Sequence, residues 1–411
     1  MRLFYTLGIY LYVCVIRLVS LFDPKAKKWL EGRRDLFLKL EKALQGTTDV
    51  IWFHCASLGE FEQGRPLIEK IKQKEPHRKI LLTFFSPSGY EVRKDYSLAD
   101  FVFYMPSDTP SHVHRFLEIV KPSAIFIVKY EFWYNFLIGI EKRKIPTYLV
   151  SGIFREDQHF FKWYGTWFRQ RLRSFSRFYL QDETSVELLR SIGFSNVLRT
   201  GDTRFDRVAE IAAEAREIPM VKAFAGDKPL LVAGSTWDED LRMIASLPLP
   251  SYGYKLIVAP HETDSEHIKR SLALFPAGTS VLLFSNANPD NVKEADVLLI
   301  DNVGMLSALY RYGSLAFIGG GFGDGIHNIL EASVYGLPVI FGPNHTKFSE
   351  ALDLIRLKGA FCVQNTTELK SIVDLLCRNR ELLGKTGSVG REYVVSNAGA
   401  SDRILADAGF R

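Results

Sequence analysis

Short apolar runs of strand length alternate with longer amphipathic stretches along most of the chain. Val50 to Cys55, Lys79 to Phe84, Phe101 to Tyr104, Ala124 to Val128, Thr147 to Val150 and Phe178 to Leu180 read as strands, with helical periods between them. A second series follows at Leu230 to Ala233, Leu256 to Ala259, Ser280 to Phe284, Val297 to Ile300, Leu315 to Ile318 and Val339 to Phe341. Such alternation predicts parallel sheets whose functional loops lie at the strand C-termini. A chain of 411 residues exceeds what one core usually serves. The expectation is an α/β protein of two doubly wound, Rossmann-like domains facing a central cleft. We place an N-terminal domain at 35–205 and a C-terminal domain at 206–389, with 390–411 packing back on the first.

Residues 1–34 have another character. Leu3 to Phe22 is almost wholly apolar, and Lys25, Lys27, Lys28, Arg33 and Arg34 follow at once. The apolar length is that of one spanning helix, yet Tyr5, Tyr10, Tyr12 and Arg17 equally suit a helix lying in the interface. No small-residue cleavage site follows. Either arrangement puts the basic flank on the cytoplasmic, anionic side; a buried N-terminal helix of a soluble domain is the alternative.

Charge and cysteine content narrow the picture. A formal charge of +5 permits an acidic ligand or an anionic membrane surface and does not indicate nucleic acid. The four cysteines are scattered without a CxxC, so they read as free thiols with no metal site.

Chemistry concentrates in loops that follow strands. In Ala56-Ser57-Leu58-Gly59-Glu60, the Ser57–Glu60 spacing is that of a capping box; the same position makes Glu60 a candidate general base. Lys129 to Asn135 places Glu131 among aromatics, either on the surface or lining a cleft. Asp238 and Asp240 read as first-turn acids, not as a cation site. The glycine-rich stretch after Ile318, with Gly319, Gly320, Gly321, Gly323 and Gly325, leads into a helical pattern from His327. A loop of this kind brings backbone N–H groups close to an anion. On such a helix His327, Asn328 and Glu331 share one face, a phosphate suiting Asn328 and ribose hydroxyls suiting Glu331; a solvated salt bridge is the other role open to Glu331.

The order of these motifs resembles that of the 3-deoxy-D-manno-octulosonic acid (Kdo) transferases of Gram-negative bacteria, from the apolar N-terminus to at least Pro343. Ala56 to Glu60 is similar to the loop that bears the family's catalytic glutamate. Glu131-Phe132-Trp133 with Asn135 resembles E-L-W-P-N, Tyr134 replacing proline, and Gly201 to Asp206 resembles G-N-x-K-F-D with a cation kept at Arg204. Ala233-Gly234-Ser235-Thr236 and His327-Asn328-Ile329-Leu330-Glu331 correspond to A-G-S-T and H-N-P-L-E. The chain departs at Pro260-His261-Glu262, where P-R-H is usual, at Val303-Gly304-Met305 for M-G-E, and at Asp324-Gly325-Ile326 for R-G-G.

The resemblance implies an inverting GT-B glycosyltransferase that moves Kdo from CMP-Kdo to a lipid A precursor at the inner membrane's cytoplasmic face. It implies catalytic roles for Glu60, Glu131 and Arg204. Nucleotide contacts are implied at Ser235, His261, Glu262, Val303, Gly304, Met305, His327, Asn328, Ile329, Leu330 and Glu331. No metal or other cofactor is expected if protein cations hold the leaving phosphate. Another two-Rossmann enzyme, such as a UDP-hexosamine transferase or epimerase, is the alternative, and a non-catalytic sugar-nucleotide-binding membrane protein is a third. A dehydrogenase accounts for less, because Gly319 to Gly325 misses the G-x-G-x-x-G frame.

Overall fold

The computed structural model describes residues 1–410, which form two compact units. One comprises 1–207 together with the C-terminal segment from Ala398, and the other Val208–Asn397. The chain thus returns to its first unit later than position 390, beyond the helix Arg380–Asn397.

Seven parallel strands build the first unit: β1 (Val50–Cys55), β2 (Lys79–Phe84), β3 (Phe101–Tyr104), β4 (Ala124–Val128), β5 (Thr147–Gly152), β6 (Arg177–Leu180) and β7 (Val197–Arg199). Their order is β3-β2-β1-β4-β5-β6-β7. The second unit has β8 (Leu230–Thr236), β9 (Lys255–Pro260), β10 (Val281–Leu283), β11 (Val297–Leu299), β12 (Leu315–Ile318), β13 (Val339–Phe341) and β14 (Ala360–Cys362). These run in the order β10-β11-β9-β8-β12-β13-β14. All six residues of β1 are buried, as a central parallel strand covered on both faces requires. The order in which strands are added reverses between β1 and β4 and between β8 and β12, the switch points where open α/β sheets bind ligands.

The N-terminal apolar segment is helix α1 (Arg2–Val19), followed by α2 (Pro24–Glu31) and α3 (Leu36–Leu44). No residue of α1 is buried, which removes the alternative of a core helix. It is long and apolar enough to cross a membrane. Yet it is tied to its own unit along one side. Arg2 Nε donates to Asn135 at 3.0 Å, Asn135 Nδ2 to the Thr6 hydroxyl at 3.1 Å and the Tyr5 hydroxyl to Asp108 at 2.6 Å. Tyr12 stacks on Phe85 with centroids 6.3 Å apart. Leu3, Phe4, Leu7, Leu11, Val15 and Leu18 remain exposed on the rest of the helix.

Asp108 is the buried centre of this attachment. It also accepts the backbone N–H groups of Asn135 at 3.0 Å and Phe136 at 2.8 Å. Burial pushes its carboxyl up to about 6, against the opposing pull of Tyr5 and those two amides. A folded-state value above the unfolded one means stability that is present in full below pH ~4 and lost as pH rises through 6. The loss is about 3 kcal/mol. The stability difference between wild type and Asp108→Asn, from urea unfolding at pH 4 and at pH 7, should change by that order; a pH-independent difference refutes the assignment.

The first core includes its own C-terminus. Ile404, Leu405 and Phe410 pack with β1, β2 and β4 residues on one face of the sheet. Asp206 fixes the start of the last helix (Ala400–Asp407), accepting the N–H groups of Gly399, Ala400 (3.2 Å) and Ser401 (2.6 Å). At its other end Arg177 holds Asp407 through two bonds of 2.8 and 2.9 Å.

Candidate active site

Glu60 lies at the first switch point, in the opening turn of helix α4 (Leu58–Lys74). Its Oε2 accepts the Ser57 backbone N–H at 3.1 Å and the Ser57 hydroxyl. The capping role read from the spacing is therefore real, and it occupies one carboxylate oxygen. The other oxygen has no hydrogen-bond partner among the described residues, on a half-buried side chain. Capping and base chemistry are compatible in one residue.

Glu131 follows β4, after Lys129, whose φ of 61° is a strained value for a residue with a side chain. Its Oε2 accepts the Trp133 indole N–H at 2.5 Å and lies 3.5 Å from His54 Nε2. Burial pushes the Cys55 thiol, at the end of β1, well up, and Glu60 and then Glu131 push it further, so both carboxylates bear on this one strand end.

His54 is a candidate site residue that pattern reading missed. It sits in β1, 1% exposed, and reads as core. Trp52 Nε1 donates to the Thr83 hydroxyl at 2.8 Å, and that hydroxyl lies 2.9 Å from His54 Nδ1. Thr83 can therefore give its own proton to Nδ1, which leaves the histidine proton on Nε2, facing Glu131. A chain of buried bonds thus sets the orientation of a partly buried carboxylate. His54→Phe should lower kcat about tenfold through misplacement of Glu131, with His54→Gln restoring most of it; equal kcat in all three proteins would rule this out.

Arg204 lies in the first turn of the helix Thr203–Glu214. Its Nε donates to Asp202 at 2.8 Å and its backbone N–H to the same carboxylate at 2.9 Å. Burial pushes the Asp202 carboxyl up, but Arg204, these bonds and Gln63 outweigh it and hold the group below its ordinary range. Asp206, in the same motif, serves the chain terminus described above.

In the second unit the glycine stretch differs from expectation. The helix is only Leu330–Ser333, so His327 and Asn328 stand before it and do not share a helical face with Glu331. The glycines serve close packing: a Cβ on Gly319 would meet Ser235 O at 2.2 Å, and one on Gly321 would meet Gly342 N at 2.6 Å. Several loop amides are already used. Gly320 N–H donates to Asp240 at 2.9 Å, Gly323 and Gly325 N–H to Gly320 O at 3.0 and 3.1 Å, and His327 N–H to Gly319 O at 3.2 Å. Asp240, which also accepts Trp237 N–H at 2.9 Å, is the first-turn acid of the helix Asp238–Ala245.

The expected nucleotide residues separate into two groups. Asn328 Nδ2 donates to Glu331 at 3.1 Å and the Ser307 hydroxyl donates to its other oxygen at 2.7 Å, which joins Glu331 to the segment after Val303, Gly304 and Met305. Val303 is 82% exposed, while Ile329 and Leu330 are buried and offer only backbone. Ser235, with φ of 52°, sits at an irregularity of β8 opposite Gly319. Nearby, Trp237 stacks on His261 at 4.6 Å and His261 on His327 at 4.5 Å, beside a cavity of about 600 Å3. Burial, and then His261, pushes His327 down to about 4, so it is a neutral ring and not a cation for phosphate. Glu262 turns away, pairing with His267 Nε2 at 2.6 Å while Asp264 holds Nδ1 at 2.5 Å.

Comparison with known proteins matches this arrangement to one family. Residues 31–207 match the model described as 3-deoxy-D-manno-octulosonic-acid transferase (kdotransferase). The chain is 30% identical over 351 residues to the 3-deoxy-D-manno-octulosonic acid transferase of Aquifex aeolicus, spanning 83% of this chain and 90% of that one. It is 26% identical over 406 residues to the enzyme of that name from Haemophilus influenzae, spanning 96% and 94%. Among solved structures, UDP-GlcNAc 2-epimerase from Neisseria meningitidis aligns with a TM-score of 0.55 at 16% identity, over 89% of this chain and 100% of that one. Acinetobacter baumannii MurG aligns with a TM-score of 0.53 at 12% identity, over 87% and 98%. These likenesses carry the fold, which is GT-B. With its motifs, its two parallel sheets and its closely related sequences in agreement, the chain belongs to the 3-deoxy-D-manno-octulosonic acid transferase family and is a glycosyltransferase.

Proposed function

We propose that the protein transfers Kdo from CMP-Kdo to a lipid A precursor, lipid IVA, with inversion at the anomeric carbon. The observation that carries this reading is Glu60 at the β1/β4 switch point, with one carboxylate oxygen held by Ser57 and the other open. That oxygen takes the proton of an acceptor hydroxyl as the hydroxyl oxygen bonds to the anomeric carbon. The bond from that carbon to the phosphate oxygen breaks, and CMP departs with the electron pair. Positive charge on the sugar ring, of oxocarbenium character, is offset by Glu131. Arg204 is assigned to the negative charge building on the phosphate.

The second unit is assigned to the donor nucleotide, with Glu331 at the ribose and Asn328 and the loop backbone toward the phosphate. The exposed apolar side of α1, with the exposed lysines of α2, supports attachment at the cytoplasmic face of the inner membrane in an interfacial manner. The reading needs no metal, so chelation by EDTA should leave the rate unchanged.

Incubation of the purified protein with CMP-Kdo and lipid IVA, with product masses recorded, should show addition of Kdo. Turnover of a UDP-sugar in parallel reactions without Kdo transfer overturns the reading in favour of a UDP-hexosamine enzyme. The product mass also counts the Kdo residues added.

A further inference from the structure

The first unit holds another cavity, about 270 Å3, lined by Arg33, Asp35, Phe37, Ser107, His112 and Arg115 among others. Arg33 is unusual there. Its guanidinium donates to three backbone carbonyls: Met105 at 2.9 Å, Trp29 at 3.0 Å and Phe85 at 2.9 Å. It lies 3.6 Å from the Trp29 ring centre, 5.2 Å from that of Phe85 and 4.9 Å from that of Tyr104. No carboxylate of the described residues pairs with it. An arginine has five N–H groups, so two remain without an acceptor among the described residues. An enclosed cation normally has a counter-ion, and burial pushes this one down to about 9.

Two further groups face the same space. His112 borders it, its buried Nδ1 without a full hydrogen bond and its ring beside the Ser107 backbone. Among the described residues Arg115, about half exposed, pairs with the exposed Glu41 at 3.0 Å and lies over Phe37 at 4.8 Å. Such an exposed pair is weak and easily exchanged for a stronger anion. The acid in the wall is Asp35, exposed and 4.0 Å from Arg34. The cavity also stands one ring layer behind α1: Tyr12 of that helix packs on Trp29 at 6.1 Å and Phe85 at 6.3 Å, two of the rings that enclose Arg33. Lys25, Lys27, Lys28 and Arg34, close in sequence to Arg33, are exposed.

We propose that this cavity binds the phosphate monoester of a lipid headgroup, with Arg33 and Arg115 as its cations and His112 and Ser107 as neutral hydrogen-bond donors. A monoester presents two charges and three oxygens, enough to meet the two open Arg33 N–H groups and Arg115 together. The adjacent α1 gives the lipid's chains an apolar surface. The proposal rests on the lipid-acceptor reading above for its biological meaning, but its test does not require transfer.

Sedimentation of the full chain with phosphatidylcholine vesicles containing phosphatidic acid, a monoester, or phosphatidylglycerol, a diester, separates site binding from surface attraction. Arg115→Gln/His112→Gln should weaken binding to phosphatidic acid vesicles about tenfold and leave phosphatidylglycerol binding unchanged. Lys27→Gln/Lys28→Gln should weaken both alike. Inorganic phosphate should fail to displace the protein from phosphatidic acid. Equal loss on both lipids, or no loss, overturns the site; displacement by millimolar inorganic phosphate overturns the lipid as its ligand. Both double variants change side chains at or near the surface, and an unchanged thermal unfolding curve certifies their fold. A protein that binds as expected but transfers no Kdo keeps this site and loses the function proposed above, whereas the reverse result removes only the site.

Discussion

Glu60→Gln should lower kcat for Kdo transfer by about 10²- to 10⁴-fold while CMP binding stays unchanged. The substitution separates the two roles that meet in this residue. A glutamine side-chain oxygen still accepts the Ser57 N–H, so the start of α4 keeps its cap and the loss of stability should stay within about 1 kcal/mol. What the amide cannot do is take a proton from a hydroxyl. The measurement is kcat and KM for lipid IVA, with calorimetric titration of CMP on the same preparations. A kcat within twofold of wild type would leave Glu60 as a cap alone and remove the base from the mechanism.

The second large effect is on folding. Asp206 is buried and accepts three consecutive N–H groups at the start of the last helix. Asp206→Ala leaves those donors without a partner in a closed environment, at about 1–3 kcal/mol for each unsatisfied group, and should destabilise the first unit by about 3–5 kcal/mol in total. Asp206→Asn keeps one acceptor oxygen and should fall between. Five of the six tryptophans belong to the first unit, so intrinsic fluorescence in urea follows it selectively. This matters because two units need not unfold in one step. A loss under about 1 kcal/mol would show that the terminal helix is held by its apolar contacts and not by this carboxylate.

The alternation of apolar runs was enough to find most strands of both sheets, because buried parallel strands are continuous apolar segments. It did not reveal Val197–Arg199 or Ala360–Cys362, three-residue edge strands with too little pattern to stand out. The glycine stretch promised a helix from His327, but only one turn forms, since His327 and its neighbours are spent on loop bonds and ring stacking. Ser57 and Glu60 were legible as a cap and as a base; sequence could not choose, and the structure uses the first while leaving an oxygen for the second. His54 was invisible for a different reason. A polar residue in a buried strand looks like a tolerated exception until its partners Thr83 and Glu131, distant in sequence, are brought beside it. Arg33 was legible only as one of five basic residues after an apolar segment, and its lack of a carboxylate partner is a property of tertiary structure alone.

The pinning of the last helix by Asp206 also has a consequence for biosynthesis. The first unit is built from 1–207 and the segment from Ala398, so its core lacks Ile404, Leu405 and Phe410 until that later segment is translated. The second unit, continuous from Val208 to Asn397, is fully synthesised before that point. The usual order, in which the N-terminal domain finishes first, is therefore inverted. During that interval an apolar helix with a broad exposed face is attached to a unit whose complete sheet still lacks part of its apolar cover, a species prone to aggregate in water and sheltered at a membrane surface. A nascent chain released at Asn397 should be degraded as an unfolded protein, although all the loops at Glu60, Glu131 and Glu331 are already present.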